Sequence, residues 1–145
     1  MFVKDTDLVS IRVYYKRIGD TGHKYAAFSS DELGEEEKRT GDFSTLNVKM
    51  AELTWGLYNE LQDGAMVEYE LPNGETERRF NYRKFKEGKL KRLLKEWDAC
   101  ETVNGEPKPV PIDDQNVSHL APQIAESILS AYDAASYLTE ETEKN

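Results

Sequence analysis

Hydrophobic and polar positions alternate along the first fifth of the chain. Val9, Ile11, Val13 and Tyr15 are spaced by two and separated by Ser10, Arg12, Tyr14 and Lys16. This period, carried by β-branched and aromatic residues, predicts a half-buried strand. IGDTGH (18–23) reads as a hairpin loop and KYAAFS (24–29) as the returning strand. Ser30 is a candidate N-cap for the acidic stretch after it, which Gly34 limits to a short helix. Leu46, Val48 and Met50 alternate again and predict a third strand. The pattern then turns helical. Thr54 can cap a helix from residue 55, with Leu57, Tyr58 and Leu61 on one face and Gly64 closing it. AMVEYELPNGETERRFNY reads as a second hairpin turning at Pro-Asn-Gly.

A longer helix is predicted from about Tyr82 to Ala99, with Phe85, Leu90, Leu93, Leu94 and Trp97 as its buried stripe. Trp97 then anchors a joint. Asn104 and Gly105 turn the chain, and Pro107, Pro109 and Pro111 fix φ at alternate residues, giving a stiff extended strap. Asp113 or Asp114 caps a turn through His119 and Leu120. Pro122 opens a last helix with Ile124, Ile128, Leu129, Tyr132 and Leu138 inward. The fold class is therefore α+β: a small, mainly antiparallel sheet packed with a C-terminal helical part. A single domain spans 1–139, sheet-rich over 1–81 and helical over 82–139, with an acidic tail at 140–145.

Composition supports a core. A chain of 145 residues of this size buries about 68–70% of its unfolded surface. Charged residues are 32% and hydrophobic residues 38%, which is polar but foldable. No apolar run reaches the roughly 18 residues of a membrane span, so no membrane partner is expected. MFVKDTDLVS lacks the apolar stretch of a signal peptide, and the one cysteine, Cys100, allows no internal disulfide. A cytosolic setting is the expectation.

Charge is more informative in its distribution than in its total. The net charge is −9, yet 78–95 holds nine basic residues and one acid, Glu87, while 101–145 holds two basic and nine acidic groups. The basic centre and acidic end either serve two partners or neutralise one another. On a helix of 100° per residue, Arg83, Lys84, Lys91, Arg92 and Lys95 point away from the Phe85–Trp97 stripe. They are candidate contacts to a partner. Phosphates would suit them, but the acidic whole disfavours nucleic acid, and Phe80 and Tyr82, the available stacking rings, read as core. Trp55, in the first turn of its helix, is the further candidate contact, as an interface anchor or a core residue.

The residues that carry catalysis are sparse. Two histidines, His23 and His119, and one cysteine lack zinc-ligand spacing, so no metal or other cofactor is expected. Cys100, read as the end of a helix, sits where the dipole disfavours a thiolate. No phosphate-binding glycine loop occurs. The expectation is a protein that is not an enzyme.

LTWGLYNEL, followed by LKRLLKEWDACETVNGEPKPVPIDDQNVSHLAPQIAESILSAYD, resembles a pattern of tailed-bacteriophage tail assembly chaperones and their neighbours in tail gene clusters. A helix ending on Trp97, the Asn104–Gly105 turn, Pro109-Val110-Pro111, the cap at Asp113 or Asp114 and the proline at 122 carry it, over about 53–63 and 90–133. The resemblance implies a morphogenesis protein that works by protein–protein binding in the host cytoplasm. It would hold the tape-measure protein or unassembled tail subunits, or be built into the tail or baseplate and so reach the virion. An apolar groove between the last two long helices would receive a partner segment. No active-site residue transfers, and homo-oligomerisation stays open. Two alternatives stand beside it: an acidic antidefence protein imitating nucleic acid, and a nucleic-acid-binding accessory protein using 78–95.

Overall fold

The computed structural model describes residues 1–4, 6–19 and 24–144, the last eight by backbone alone. The alternating segments become strands β1 (Leu8–Arg17), β2 (Tyr25–Ser29) and β3 (Ser44–Ala51). Ile11 and Val13 pair with Val48 and Leu46, which places the apolar set of β1 and β3 on one face. Between β2 and β3 a 3-10 turn (Ser30–Glu32) leads to α1 (Glu35–Thr40). The cap is Ser29 rather than Ser30. The Ser29 N–H and hydroxyl both donate to Glu32 Oε1, at 3.0 and 2.9 Å, while Ser30 Oγ accepts from Lys38 Nζ.

Gly41 ends α1 by donating its N–H to Glu37 O at 2.8 Å. A Cβ at this position would lie 2.4 Å from the Phe43 ring and 2.5 Å from the Glu37 carbonyl. The carbonyl belongs to the turn that Gly41 closes and cannot swing away. Gly41→Ala is expected to cost about 1–3 kcal/mol, read as a lower urea midpoint with an unchanged m-value.

Thr54 caps α2 (Trp55–Gly64), its hydroxyl accepting from Leu57 N at 3.1 Å. β4 (Met66–Glu70) and β5 (Thr76–Phe80) form a separate two-stranded hairpin. Asn81 then caps α3 (Tyr82–Leu93).

At this point the expected helix through Ala99 is corrected. The chain leaves the helix at Leu93 and forms β6 (Leu94–Trp97), which pairs with β3. The main sheet is therefore four-stranded and antiparallel, in the order β2-β1-β3-β6. Met50 faces Leu94, Lys49 faces Glu96 and Val48 faces Trp97, which leaves Lys95 as the extra residue of a bulge. The bulge restores parity, so Leu94 and Trp97, three apart, both turn inward. That spacing imitates a helical stripe.

The strap is corrected too. Residues 100–109 form a hairpin of β7 (Cys100–Val103) and β8 (Glu106–Pro109). Its turn is Asn104–Gly105, both at positive φ (54° and 81°), as a two-residue primed turn requires. Val103 pairs with Glu106, Thr102 with Pro107 and Cys100 with Pro109. Counting outward from the turn, both prolines fall at the non-hydrogen-bonded positions, where the missing N–H would point away from β7. Pro111 follows the hairpin, and its carbonyl accepts from Asn116 Nδ2 at 2.8 Å. The expected helical part 82–139 thus contains three strands.

Asp113 caps α4 (Asp114–Ser118), and Pro122 opens α5 (Pro122–Lys144). Ile124, Ile128, Leu129 and Tyr132 of α5 join Leu90 and Leu93 of α3 in the core against the inner face of the sheet. The expected role of Leu138, the loop histidine His23 and the side chains of the tail lie outside the described residues.

Candidate functional site

On α2, Trp55 and Tyr58 are three residues apart and so neighbours on the helix surface. Tyr58 meets the Phe85 ring of α3 edge-on at 6.0 Å between centroids. Phe85 in turn packs Phe80 at 5.5 Å and stacks on Tyr82 at 6.5 Å. An aromatic stripe thus crosses α2, α3 and the end of β5. It faces solvent: Trp55 is 81% exposed, Tyr82 60%, Phe80 46% and Tyr58 38%. The expectation that Phe80 and Tyr82 are core is corrected. The β4–β5 hairpin carries charges on both faces (Glu68 opposite Arg78, Glu77 opposite Tyr69) and is not covered by a second layer, so its alternation buries no side. That two-sided charge was the available signal. Trp55, open between anchor and core, is on the surface.

Cations border the stripe unevenly. Arg83 and Lys84 follow Tyr82 in the first turn of α3 and are exposed, with no ion pair among the described residues. Arg92 pairs with Glu60 of α2 at 3.2 Å. Arg92 and Lys95 line a cavity of about 770 Å³ together with Thr54 and Gly56, the neighbours of Trp55. Lys91 does not belong here. It is bonded to Glu87 at 2.7 Å, a contact that raises its pKa, and it lines the groove between α3 and the α4–α5 segment. That groove, about 380 Å³ with Leu90, Val117, Leu120 and Leu129 in its walls, is the expected one between the long helices.

The basic centre is partly neutralised from within. Lys86 meets Glu126 at 2.6 Å and Lys89 meets Asp133, both on α5. Lys86 also lies 5.1 Å over the Tyr82 ring, and Lys89 6.0 Å over Phe85. On the hairpin, the hydrogen bond and charge of Arg79 hold the Glu77 carboxyl below its ordinary pKa.

The joint residues hold structure. Trp97 is half-buried and donates Nε1–H to Val110 O at 2.6 Å, tying β6 to the chain after β8. Cys100 opens β7 and is exposed, so it has no helix terminus behind it. It lines a cavity of about 640 Å³ with His119. Its thiol donates to Asp98 O at 3.6 Å, and no hydrogen bond joins it to His119. Among the described residues, no group of three His, Cys, Asp or Glu side chains is placed to hold a metal ion. Nor is any helix there long and apolar enough to cross a membrane. No family model, curated protein or solved structure matches the chain.

Proposed function

We propose that this protein acts by binding another protein through the aromatic stripe, in the manner of a phage tail assembly chaperone. Its client would be the tape-measure protein or an unassembled tail subunit in the host cytoplasm, with retention in the tail as the variant of the same reading. The observation that carries the proposal is Trp55: a tryptophan 81% exposed, one helical turn before Tyr58, whose ring opens a run of exposed aromatic side chains that meet through Phe85. Contact patches that bury Trp, Tyr and Arg supply most of the energy of protein association. A contiguous apolar patch rimmed by polar groups marks such a site. The α3–α5 groove offers a second seat for an apolar segment, and the class of partner is taken from the resemblance over 53–63 and 90–133, in which Trp97 ends a strand and not the expected helix.

Because Trp55 is on the surface, Trp55→Ala is expected to leave thermal stability within about 0.5 kcal/mol of the parent. It is expected to weaken client binding by about 2 kcal/mol or more. Co-expression with a tail-tube or tape-measure subunit, followed by size-exclusion chromatography, checks both: the parent co-elutes with the client and the variant elutes alone.

One observation favours a second reading. Exposed Phe80 and Tyr82 beside Arg83 and Lys84, which form no ion pair among the described residues, would also stack and neutralise a single strand. An electrophoretic shift with single-stranded DNA or RNA at low salt, abolished by Tyr82→Ala, would favour it. No retardation ends it.

A further inference from the structure

Across the sheet from α5, the outer face carries a second constellation that plays no part in the aromatic stripe. Register places Ser10 beside Lys49 and Arg12 beside Asn47 on that face. Asp98, just after β6, accepts the Asn47 backbone N–H on Oδ1 at 2.8 Å and the Asn47 Nδ2 group on Oδ2 at 2.7 Å. The Asn47 amide can therefore face only one way, with Oδ1 turned to Arg12. It accepts from Arg12 Nε at 2.7 Å. A guanidinium has five N–H donors. One is spent on holding the group in place, and Arg12 forms no ion pair among the described residues.

The fixed fork borders a concavity of about 630 Å³, lined also by Ser10, Ser30, Lys49, Glu96 and Asp98. Glu96 is paired with Lys49 and Asp98 with Asn47, which leaves Arg12 as the cation without a carboxylate partner among the described residues. Lys49 is only loosely engaged, 3.6 Å from Glu96. Ser30 Oγ accepts from Lys38 and keeps its own O–H to give.

The geometry points to a carboxylate-binding site, with the Arg12 Nη groups taking both oxygens of an Asp or Glu side chain on an acidic peptide segment. Two parallel N–H···O bonds from a planar fork suit a two-oxygen acceptor. A fork of this kind fits a phosphate as well, but the Glu96 and Asp98 carboxylates in the lining oppose its second charge, and the backbone N–H groups of β1 and β3 beneath the site belong to an interior ladder and add no donors. Asn47 and Asp98 are positioning residues: they fix the fork and touch no ligand. The site is on the opposite side of the sheet from Trp55, so it stands or falls separately from the client surface.

The test is a heteronuclear NMR titration of the full chain with N-acetyl tetraglutamate, at about 150 mM salt so that the Debye length of about 8 Å screens the net negative charge. Saturable shifts are expected at the Ser10, Arg12, Asn47 and Lys49 amides, with Tyr58 and Tyr82 unmoved. Arg12→Gln should weaken binding at least about tenfold, and Arg12→Lys, which keeps the charge but loses the fork, by a large part of that. Inorganic phosphate at equal concentration should not displace the peptide. The proposal is overturned by shifts that never saturate or centre on Tyr82, by Arg12→Gln or Arg12→Lys binding like the parent, or by displacement with phosphate.

Discussion

Tyr132→Ala is expected to destabilise the protein by about 4 kcal/mol, and Tyr132→Phe by about 1–2 kcal/mol. The ring is buried at the meeting of α5 with the sheet, among Met50, Leu93 and Ile128, and its hydroxyl donates to Ala51 O at 3.0 Å across that junction. Alanine removes a large core side chain and opens a cavity. Phenylalanine removes only the O–H and leaves the Ala51 carbonyl without its donor. The same residue makes an alkaline prediction. Burial raises the Tyr132 pKa above 10.0, against a smaller lowering by hydrogen bonds with Ser136 and Leu53. A raised pKa means the folded state holds the proton more tightly than the unfolded one. The contribution is therefore whole below about pH 10 and is lost as pH climbs through the raised value. Urea unfolding of the parent should weaken steeply above pH 10, and the Tyr132→Phe protein should lack that part of the slope.

Trp97→Ala is the second large effect, expected at about 3 kcal/mol, the lower end of the range for tryptophan in a core, because the ring is half-buried. Two losses add. The inner face of β6 loses its cover over Val48, and the bond from Nε1 to Val110 O, the tie across the β7–β8 hairpin, disappears. Trp97→Phe keeps the first and loses the second, and should cost about 1 kcal/mol beyond its volume change. Equilibrium denaturation followed by far-ultraviolet circular dichroism measures both. A Trp97→Ala protein as stable as the parent would show that β6 is not held by this side chain.

The legible parts of the fold are those where one period governs a whole element. β1, β2, β3 and the β4–β5 hairpin follow from alternation and turn chemistry, and Thr54, Asp113 and Pro122 mark their helix starts. The stretch from Leu93 to Pro109 was harder for a physical reason. A bulge at Lys95 sets Leu94 and Trp97 three apart on one face, and three apart is also helical spacing. Proline at 107 and 109 argues against a strand until its register is known. On the non-hydrogen-bonded positions of an exposed hairpin it costs nothing in the ladder.

The candidate surface was half legible. Charge alone picked out Arg83, Lys84, Arg92 and Lys95, and helix position left Trp55 open. What joined them was unreadable, because Tyr58, Phe80 and Tyr82 meet only through Phe85, from three different elements. Lys91 points the same way as the other cations by helical angle, yet Glu87 one turn earlier takes its ammonium. Asn47 and Asp98 carried no signal at all: 51 residues separate them, and only the β3–β6 pairing brings them together.

The central claim is that the aromatic stripe holds an unassembled tail protein. Its most direct test is the light scattering of a tape-measure protein diluted from denaturant, alone, with the parent chain, and with the Trp55→Ala/Tyr82→Ala double variant. The parent is predicted to suppress scattering near equimolar ratio and the folded double variant to leave it unchanged. Equal suppression by both proteins, or none by the parent, would contradict the account.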